Sequence, residues 1–323
     1  MSNFVFSGSP HIKSGNTTRK IMLEVLIALL PATIVGIVYF GLFAFLTVVV
    51  SVVSALLAEL VYELISGKSI KQFFRETDYS SAVTGVILAL IIPANAHLYI
   101  PALSAIFAII VVKMLFGGTG KNLVNPAATG RIFAFISFTT ILNAFPMPSV
   151  SAIKDNIITG ASSLQSFLAD GSSLSVIDLI LGTGVAGAIG ETCKIAILVG
   201  AIYLAIKGII NIILPIIAIL SAGLTAFLLQ GCDFSAILPT ILSGGLFFAC
   251  FFMATDFVTN PMTFKGNLVF FILFGVLTSL LRHYTGYETA SFALLLVNLL
   301  VPLIDKATPN KPFGYKKPKK EAK

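Results

Sequence analysis

The run Asn156-Ile-Ile-Thr159-Gly160-Ala161-Ser162-Ser163-Leu164 is the first place in this sequence where chemistry could be done. A phosphoester link needs an exposed hydroxyl, a flexible glycine nearby and no bulky shield. Ser162 and Ser163 meet those needs, as would the hydroxyls of any ordinary solvated loop. A second run, Phe116-Gly-Gly-Thr-Gly-Lys-Asn-Leu-Val-Asn125-Pro126-Ala-Ala-Thr-Gly130-Arg131, looks at first like a phosphate-binding loop. That pattern fails, because Leu115 stands where its first glycine belongs and Asn122 where it needs Ser or Thr. What remains are glycines that let backbone approach a planar ligand closely, and Asn122 and Asn125 as donors and acceptors. The plainer reading makes Asn125 a helix cap with Pro126 just inside the helix.

Intramembrane carboxylates form the third group. A carboxylate at a helix centre costs about 2.5–3.5 kcal/mol on insertion scales, so it persists only with a partner, water or a use. Asp256 closes Phe-Phe-Met-Ala-Thr-Asp, and Glu191 follows Gly-Ala-Ile-Gly with Lys194 three residues on, a spacing at which the two could neutralise each other. Both carboxylates are candidates for an ion pathway. Glu59 and Glu63 share a face and read as snorkelling side chains, and Asp78 reads as a cap. Cys193, Cys232 and Cys250, and His11, His97 and His283, lack metal-ligand spacing, so no metal site is expected.

These residues sit in a chain that is 57% hydrophobic and 11% charged, with mean hydropathy +0.98. Soluble domains carry roughly 25% charged residues, and surface-to-volume scaling forbids hiding this much apolar surface in a soluble core. Lipid is the implied solvent. Spans of about 20 apolar residues are read at 22–40, 42–64, 80–95, 99–116, 127–145, 191–206, 211–229, 236–254, 267–281 and 289–304. The third and ninth are short. The expected fold is an all-α polytopic membrane protein of about ten transmembrane helices with both termini cytoplasmic. A five-plus-five pseudo-repeat is read from Asn125-Pro126 and Asn260-Pro261. Residues 1–21 form a cytoplasmic segment, 22–145 the first transmembrane half, 146–190 an extracytoplasmic loop, 191–304 the second half and 305–323 a basic cytoplasmic tail. With the N-terminus inside, 18 of the 21 Lys and Arg fall inside and only Lys154, Lys194 and Arg282 outside. The net charge of +7 is concentrated in the tail, which suits orientation and anionic lipid rather than nucleic acid. No cleavable signal is evident, since residues 1–20 are polar and the first apolar run is long enough to span.

Taken together, the chain resembles the RnfD/NqrB family of membrane flavoproteins, and RnfD more than NqrB in length and in its short N-terminal segment. The matching stretches are Ser-Pro-His-Ile-Lys at 9–13, FGGTGKNLVNPAATGR at 116–131, TGASSL at 159–164, GAIGET at 187–192, FFMATDFVTNP at 251–261 and LLVNLLVPLID at 295–305. The resemblance implies a subunit of a redox-driven ion pump of the cytoplasmic (inner) membrane, in which ferredoxin is oxidised, NAD reduced and Na⁺ or H⁺ exported. Ferredoxin and NAD would be handled by partner subunits. It also implies FMN joined by a phosphoester in the outer loop, where the family reads roughly Asp-x-x-Ser-Gly-Ala-Thr. Here Ser162 holds the attachment position, Ser163 is the runner-up, Asn156 stands for the usual Asp and Thr159 for the usual Ser. A second, non-covalent flavin like riboflavin is implied near the cytoplasmic face, with Asn122 and Asn125 as its contacts. The chain has no complete active site of its own: the flavin does the electron chemistry and the protein positions and tunes it. Two other classes fit the composition, a solute or ion transporter or channel without a redox cofactor, and a scaffold subunit that has lost its outer flavin.

Overall fold

The computed structural model describes residues 17–148, 159–160, 175–183, 185–232, 234 and 237–310. The chain enters helix α1 (Thr18–Ile65) at Thr17, whose hydroxyl caps the Lys20 N–H. The helix breaks at Gly41, whose φ of 70° and ψ of −151° lie in a region essentially reserved for glycine. The break folds α1 into a hairpin. Arg19, at one end of it, donates to the Tyr79 hydroxyl at 2.6 Å. Glu59, near the other end, reaches Ser80 through the Lys113 ammonium. The expected spans 22–40 and 42–64 are the two arms, separated where the sequence separates them. A short helix α2 (Ile70–Glu76) follows, opened by a capping box between Ser69 and Gln72.

Helix α3 (Ser80–Leu90) begins beside the open end of the hairpin and has 11 residues. That length rises about 16 Å, half of a hydrocarbon layer roughly 30 Å thick. Its first turn is held by Asp78, whose carboxylate accepts from the backbone N–H and hydroxyl of Ser80. Beyond Leu90 the chain leaves the helix, and a non-helical piece from the second half of the sequence meets it. Gly190 N–H donates to Leu90 C=O at 2.7 Å and Ile189 N–H to Ile92 C=O at 3.4 Å. Helix α4 (Tyr99–Phe107) then runs on as a π-helical stretch (Ala108–Met114), and α5 (Pro126–Ser137) and α6 (Thr139–Leu142) lead away to Phe145. Phe145 and Pro146 pair antiparallel with Gly160 and Thr159. The backbone at Thr159–Gly160 is thus tied to the end of the molecule opposite Asn125, one α5–α6 length away. Ser162, Ser163 and Asn156 lie outside the described residues.

The second half holds α7 (Val176–Leu181), α8 (Lys194–Ile206), α9 (Ile213–Leu229), α10 (Ile237–Leu242), α11 (Leu246–Phe248) continuing as a π-helical stretch (Ala249–Met253), α12 (Phe264–Thr285) and α13 (Ala290–Ala307). π-helical turns thus precede both Asn-Pro sites, Asn125-Pro126 and Asn260-Pro261. Small residues let helices approach closely, as where Ser51 donates to Gly85 C=O at 2.7 Å. Leu220, Leu224 and Leu228 point outward from α9, more than half exposed, forming the apolar stripe that a bilayer would cover. Among the described residues, three helices are long and apolar enough to cross a membrane, and four more are apolar but shorter. The chain is a helical, multi-pass membrane protein.

Several expected spans change: the third leaves the helix after Leu90, short of residue 95, and the fifth is broken at Phe138 between α5 and α6. The ninth span is not short, because α12 begins at Phe264 and runs 22 residues. The eighth, read as continuous over 236–254, is interrupted at Ser243–Gly245 between α10 and α11. Gly41→Ala should force an L-residue into the hairpin turn at a cost of about 1–3 kcal/mol. A lowered melting temperature of the detergent-purified protein would register it; an unchanged one would mean that the turn relaxes freely.

Candidate functional site

Asn122, Asn125 and Asp256, far apart in sequence, line one cavity. With them are Ser80, Lys113, Thr119 and Thr255, and an apolar wall that includes Ile21, Met22, Leu204 and Phe252. Asn125 does the capping its position predicts: its Oδ1 accepts from Ala128 N–H at 3.1 Å, with Pro126 in the first turn. Its Nδ2 donates to Met253 C=O at 3.0 Å, which ties the loop before α5 to the π-helical end of the eighth span. Both polar ends of that side chain are therefore used. Asn122 differs. Its Oδ1 is buried with no hydrogen-bond partner among the described residues. The loop carrying it turns through Gly117, Gly118 and Gly120, each at φ between 87° and 107°. A buried amide left with free acceptor capacity fits a ligand bearing an N–H edge. The enclosed space is about 100 Å³, below the roughly 300 Å³ usual for small-molecule sites.

Asp256 follows the π-helical turn and is partly buried. Its carboxylate accepts from Val258 N–H and the Thr259 hydroxyl, both at 3.3 Å. Burial pushes its carboxyl above the usual carboxylate range, and these two hydrogen bonds only partly offset that. Asp78, just outside the cavity, behaves oppositely. Burial would raise it, but hydrogen bonds from Ser80 and the nearby Lys113 ammonium bring it below its ordinary value.

The cavity wall contains an ion pair that sequence reasoning missed. Lys113 is 2% exposed, and its ammonium donates to Glu59 Oε1 at 2.6 Å and to the hydroxyls of Ser80 and Ser81 at 2.7 Å each. Glu59 does not snorkel as expected; Glu63 alone turns outward, to Lys68 at 3.0 Å. The available signal was a lysine inside the apolar run Ala-Ile-Ile-Val-Val-Lys-Met-Leu, which in lipid demands a partner.

Glu191 lies elsewhere, in a buried cluster with Arg131, Lys194, Arg282 and Glu288. Arg282 forks onto both oxygens of Glu288 at 2.8 Å and donates to Thr240 C=O at 3.0 Å. Arg131 donates to Ile91 C=O at 2.9 Å and to Glu288 C=O at 3.4 Å. Arg131, read as an inner-loop charge, is thus an interior residue. Glu191 and Lys194 do not pair as successive helix turns would, because α8 begins only at Lys194. The ammonium instead donates to the backbone carbonyls of Glu191 and Gly244. A side chain at Gly244 would collide with Glu288, and one at Gly245 with Glu191, so the interruption of the eighth span is what admits both carboxylates.

Lys113→Met should strand the Glu59 carboxylate and cost about 3–5 kcal/mol, whereas Lys113→Met with Glu59→Leu should recover most of it. Thermal unfolding of the three purified proteins reads this directly. Equal losses in the single and double variants would contradict the pairing.

The family described as NQR2, RnfD, RnfE matches residues 5–314. The D subunit of the Na⁺-translocating ferredoxin:NAD⁺ oxidoreductase complex of Acetobacterium woodii is 39% identical, covering 99% of this chain and 98% of that protein. Its counterpart in the proton-translocating ferredoxin:NAD⁺ oxidoreductase complex of Clostridium ljungdahlii is 32% identical, covering 97% of each. The D subunit of an ion-translocating oxidoreductase complex from Mannheimia succiniciproducens is also 32% identical, over 97% of this chain and 98% of that protein. On the extent of these matches, the chain belongs to the NQR2, RnfD, RnfE family.

Proposed function

We propose that this chain is the D subunit of a membrane-bound ferredoxin:NAD⁺ oxidoreductase complex, carrying electrons across the cytoplasmic membrane while the complex exports Na⁺ or H⁺. Its partners are the other subunits of that complex and the bilayer, and ferredoxin and NAD are met through those subunits. The observation that carries the reading is full-length likeness to D subunits of such complexes, joined to a polar cavity at one end of the molecule and the Thr159–Gly160 backbone at the other.

In this reading the chain crosses the membrane ten times with both termini cytoplasmic. The distribution of Lys and Arg supports that orientation. So does the position of the described chain ends: Ile21 lines the same cavity as Asp256, and Met262, six residues beyond Asp256, donates its N–H to Asp305 at 3.0 Å. The cavity then faces the cytoplasm and the 146–190 loop the outside.

Two flavins, FMN outside and a riboflavin-like one inside, would supply one-electron carriers at the two ends. Ser162, or Ser163 as runner-up, would hold the first through its hydroxyl. Asn122 would offer its free acceptor to the second, with Asn125 fixing the loop that presents it. The cavity's limited room fits a flavin edge whose remainder is covered by lipid or a partner subunit. Asp256, in the cavity wall, is the candidate carboxylate for holding an ion at the cytoplasmic side, from where the ion would move to or from a partner subunit.

Visible absorption of the purified protein before and after acid precipitation tests the cofactors. The expected result is yellow chromophore in the pellet and a second portion in the supernatant. Ser162→Ala should empty the pellet and Asn122→Leu the supernatant. Loss from the pellet only with Ser163→Ala would move the attachment by one residue. A colourless native protein would leave a transporter without a redox cofactor as the reading.

A further inference from the structure

We infer that the buried cluster of Arg131, Glu191, Lys194, Arg282 and Glu288 seals the interior of this chain against cations on the side away from the cavity, so that the exported ion does not pass through it. The inference goes beyond the proposed electron-transfer role; the seal itself rests only on the chain spanning the membrane, and the exclusion of the exported ion rests on the proposed ion-exporting complex.

Helix interruptions create the problem that the cluster solves. α3 stops at Leu90 after 11 residues, too short to cross a hydrocarbon layer; the non-helical stretch before α8 meets it there; and the eighth span is cut at Ser243–Gly245. Each interruption leaves carbonyl oxygens that no helix satisfies, and helix C-termini carry partial negative charge. Ile91 C=O, Thr240 C=O, Gly244 C=O and Glu191 C=O point at neighbours in the interior, with two carboxylates beside them. Rings of such oxygens are what a dehydrated cation seeks.

Here every one of these oxygens is already met by a tethered cation: Ile91 by Arg131, Thr240 by Arg282, Gly244 and Glu191 by Lys194. The formal balance is three cations to two carboxylates. A passing Na⁺ or H⁺ therefore meets a net positive charge in a medium of low dielectric, and protonating Glu191 would only increase the excess. The cluster is also dry: Arg282, Glu191, Lys194, Arg131 and Glu288 are between 2% and 7% exposed. The cavity touching Arg282 and Thr240 holds about 10 Å³, room for a single water and not for a hydrated ion. Glu191, read from sequence as an ion-path candidate, is by this account a counter-charge within the seal.

Lys194 is the most informative handle, because it contacts backbone oxygens and its removal strands no carboxylate that it bonds directly. The intact complex, reconstituted into liposomes loaded with Na⁺- and pH-sensitive dyes, allows passive influx and ferredoxin-driven transport to be followed together with NAD reduction. Lys194→Met should raise passive cation influx by about tenfold or more, while Lys194→Arg should not. Glu191→Gln, which leaves the cluster more positive, should stay tight and should keep both NAD reduction and driven ion export within about twofold of the parent. A Glu191→Gln complex that reduces NAD but exports no ion would overturn the inference, as would an assembled Lys194→Met complex as tight as the parent. If Lys194→Met does not assemble, the Glu191→Gln result decides alone. Failure of the parent complex to reduce NAD would sink the proposed function and leave the leak measurement to judge the seal.

Discussion

Backbone carbonyls stranded inside the membrane are the constraint from which the rest of this structure follows. A helix that stops halfway through lipid must give its last carbonyls a donor, and water is not at hand. The chain supplies tethered cations: Arg131 to the end of α3, and Arg282 and Lys194 to the end of α10 and the turn after it. Those cations would be costly alone, so Glu288 and Glu191 are drawn in. The carboxylates in turn need room against the backbone, which is why Gly244 and Gly245 interrupt the eighth span. Each feature is the physical consequence of the one before it.

The same logic governs the cavity end on a smaller scale. Lys113 sits in a π-helical turn that offsets it from the regular helical face, and Glu59, Ser80 and Ser81 use all three of its donors. With Lys113 fully engaged and Asn125 spent on Ala128 and Met253, the wall is rigid and its polar capacity is concentrated at Asn122 and Asp256. Rigid support around a few open groups is what a cofactor-positioning site requires, because an electron carrier is tuned by fixed dipoles.

Much of this is legible in the sequence, and the boundary is instructive. Local chemistry reads correctly: the break at Gly41, the Asn125 cap with Pro126 behind it, and the Asp78 cap on α3 each depend on residues within a few positions. Pairings across long separations do not. Glu59 and Lys113 are 54 positions apart, and nothing in the periodicity of either helix names the other. Glu288 gives no signal because it lies just before α13, where a carboxylate reads as an ordinary loop charge; only the fold reveals it beneath Arg282. The charge count misplaces Arg131 for the same reason. Its closeness to Asn125 puts it with a cytoplasmic loop, yet its side chain is committed to carbonyls deep in the chain. Ionisable residues inside apolar runs are the usable signal, since each cation in such a run demands a partner somewhere.

Electrons and ions make opposite demands on a membrane protein. An ion needs a continuous polar path, because each step must replace its hydration shell. An electron needs carriers near enough to each other and no path of that kind. Every charge that leaks back across the membrane wastes about 2.3 kcal/mol per 100 mV of potential. A chain that carries electrons between its two faces therefore benefits from a dry, positively biased interior. Arg131, Lys194 and Arg282 meet that need with residues already required to satisfy the broken helices. On this view the interruptions do not mark an ion channel, although in sequence and in outline they resemble one. They let the chain bring polar groups inside while the buried cluster keeps it closed to ions.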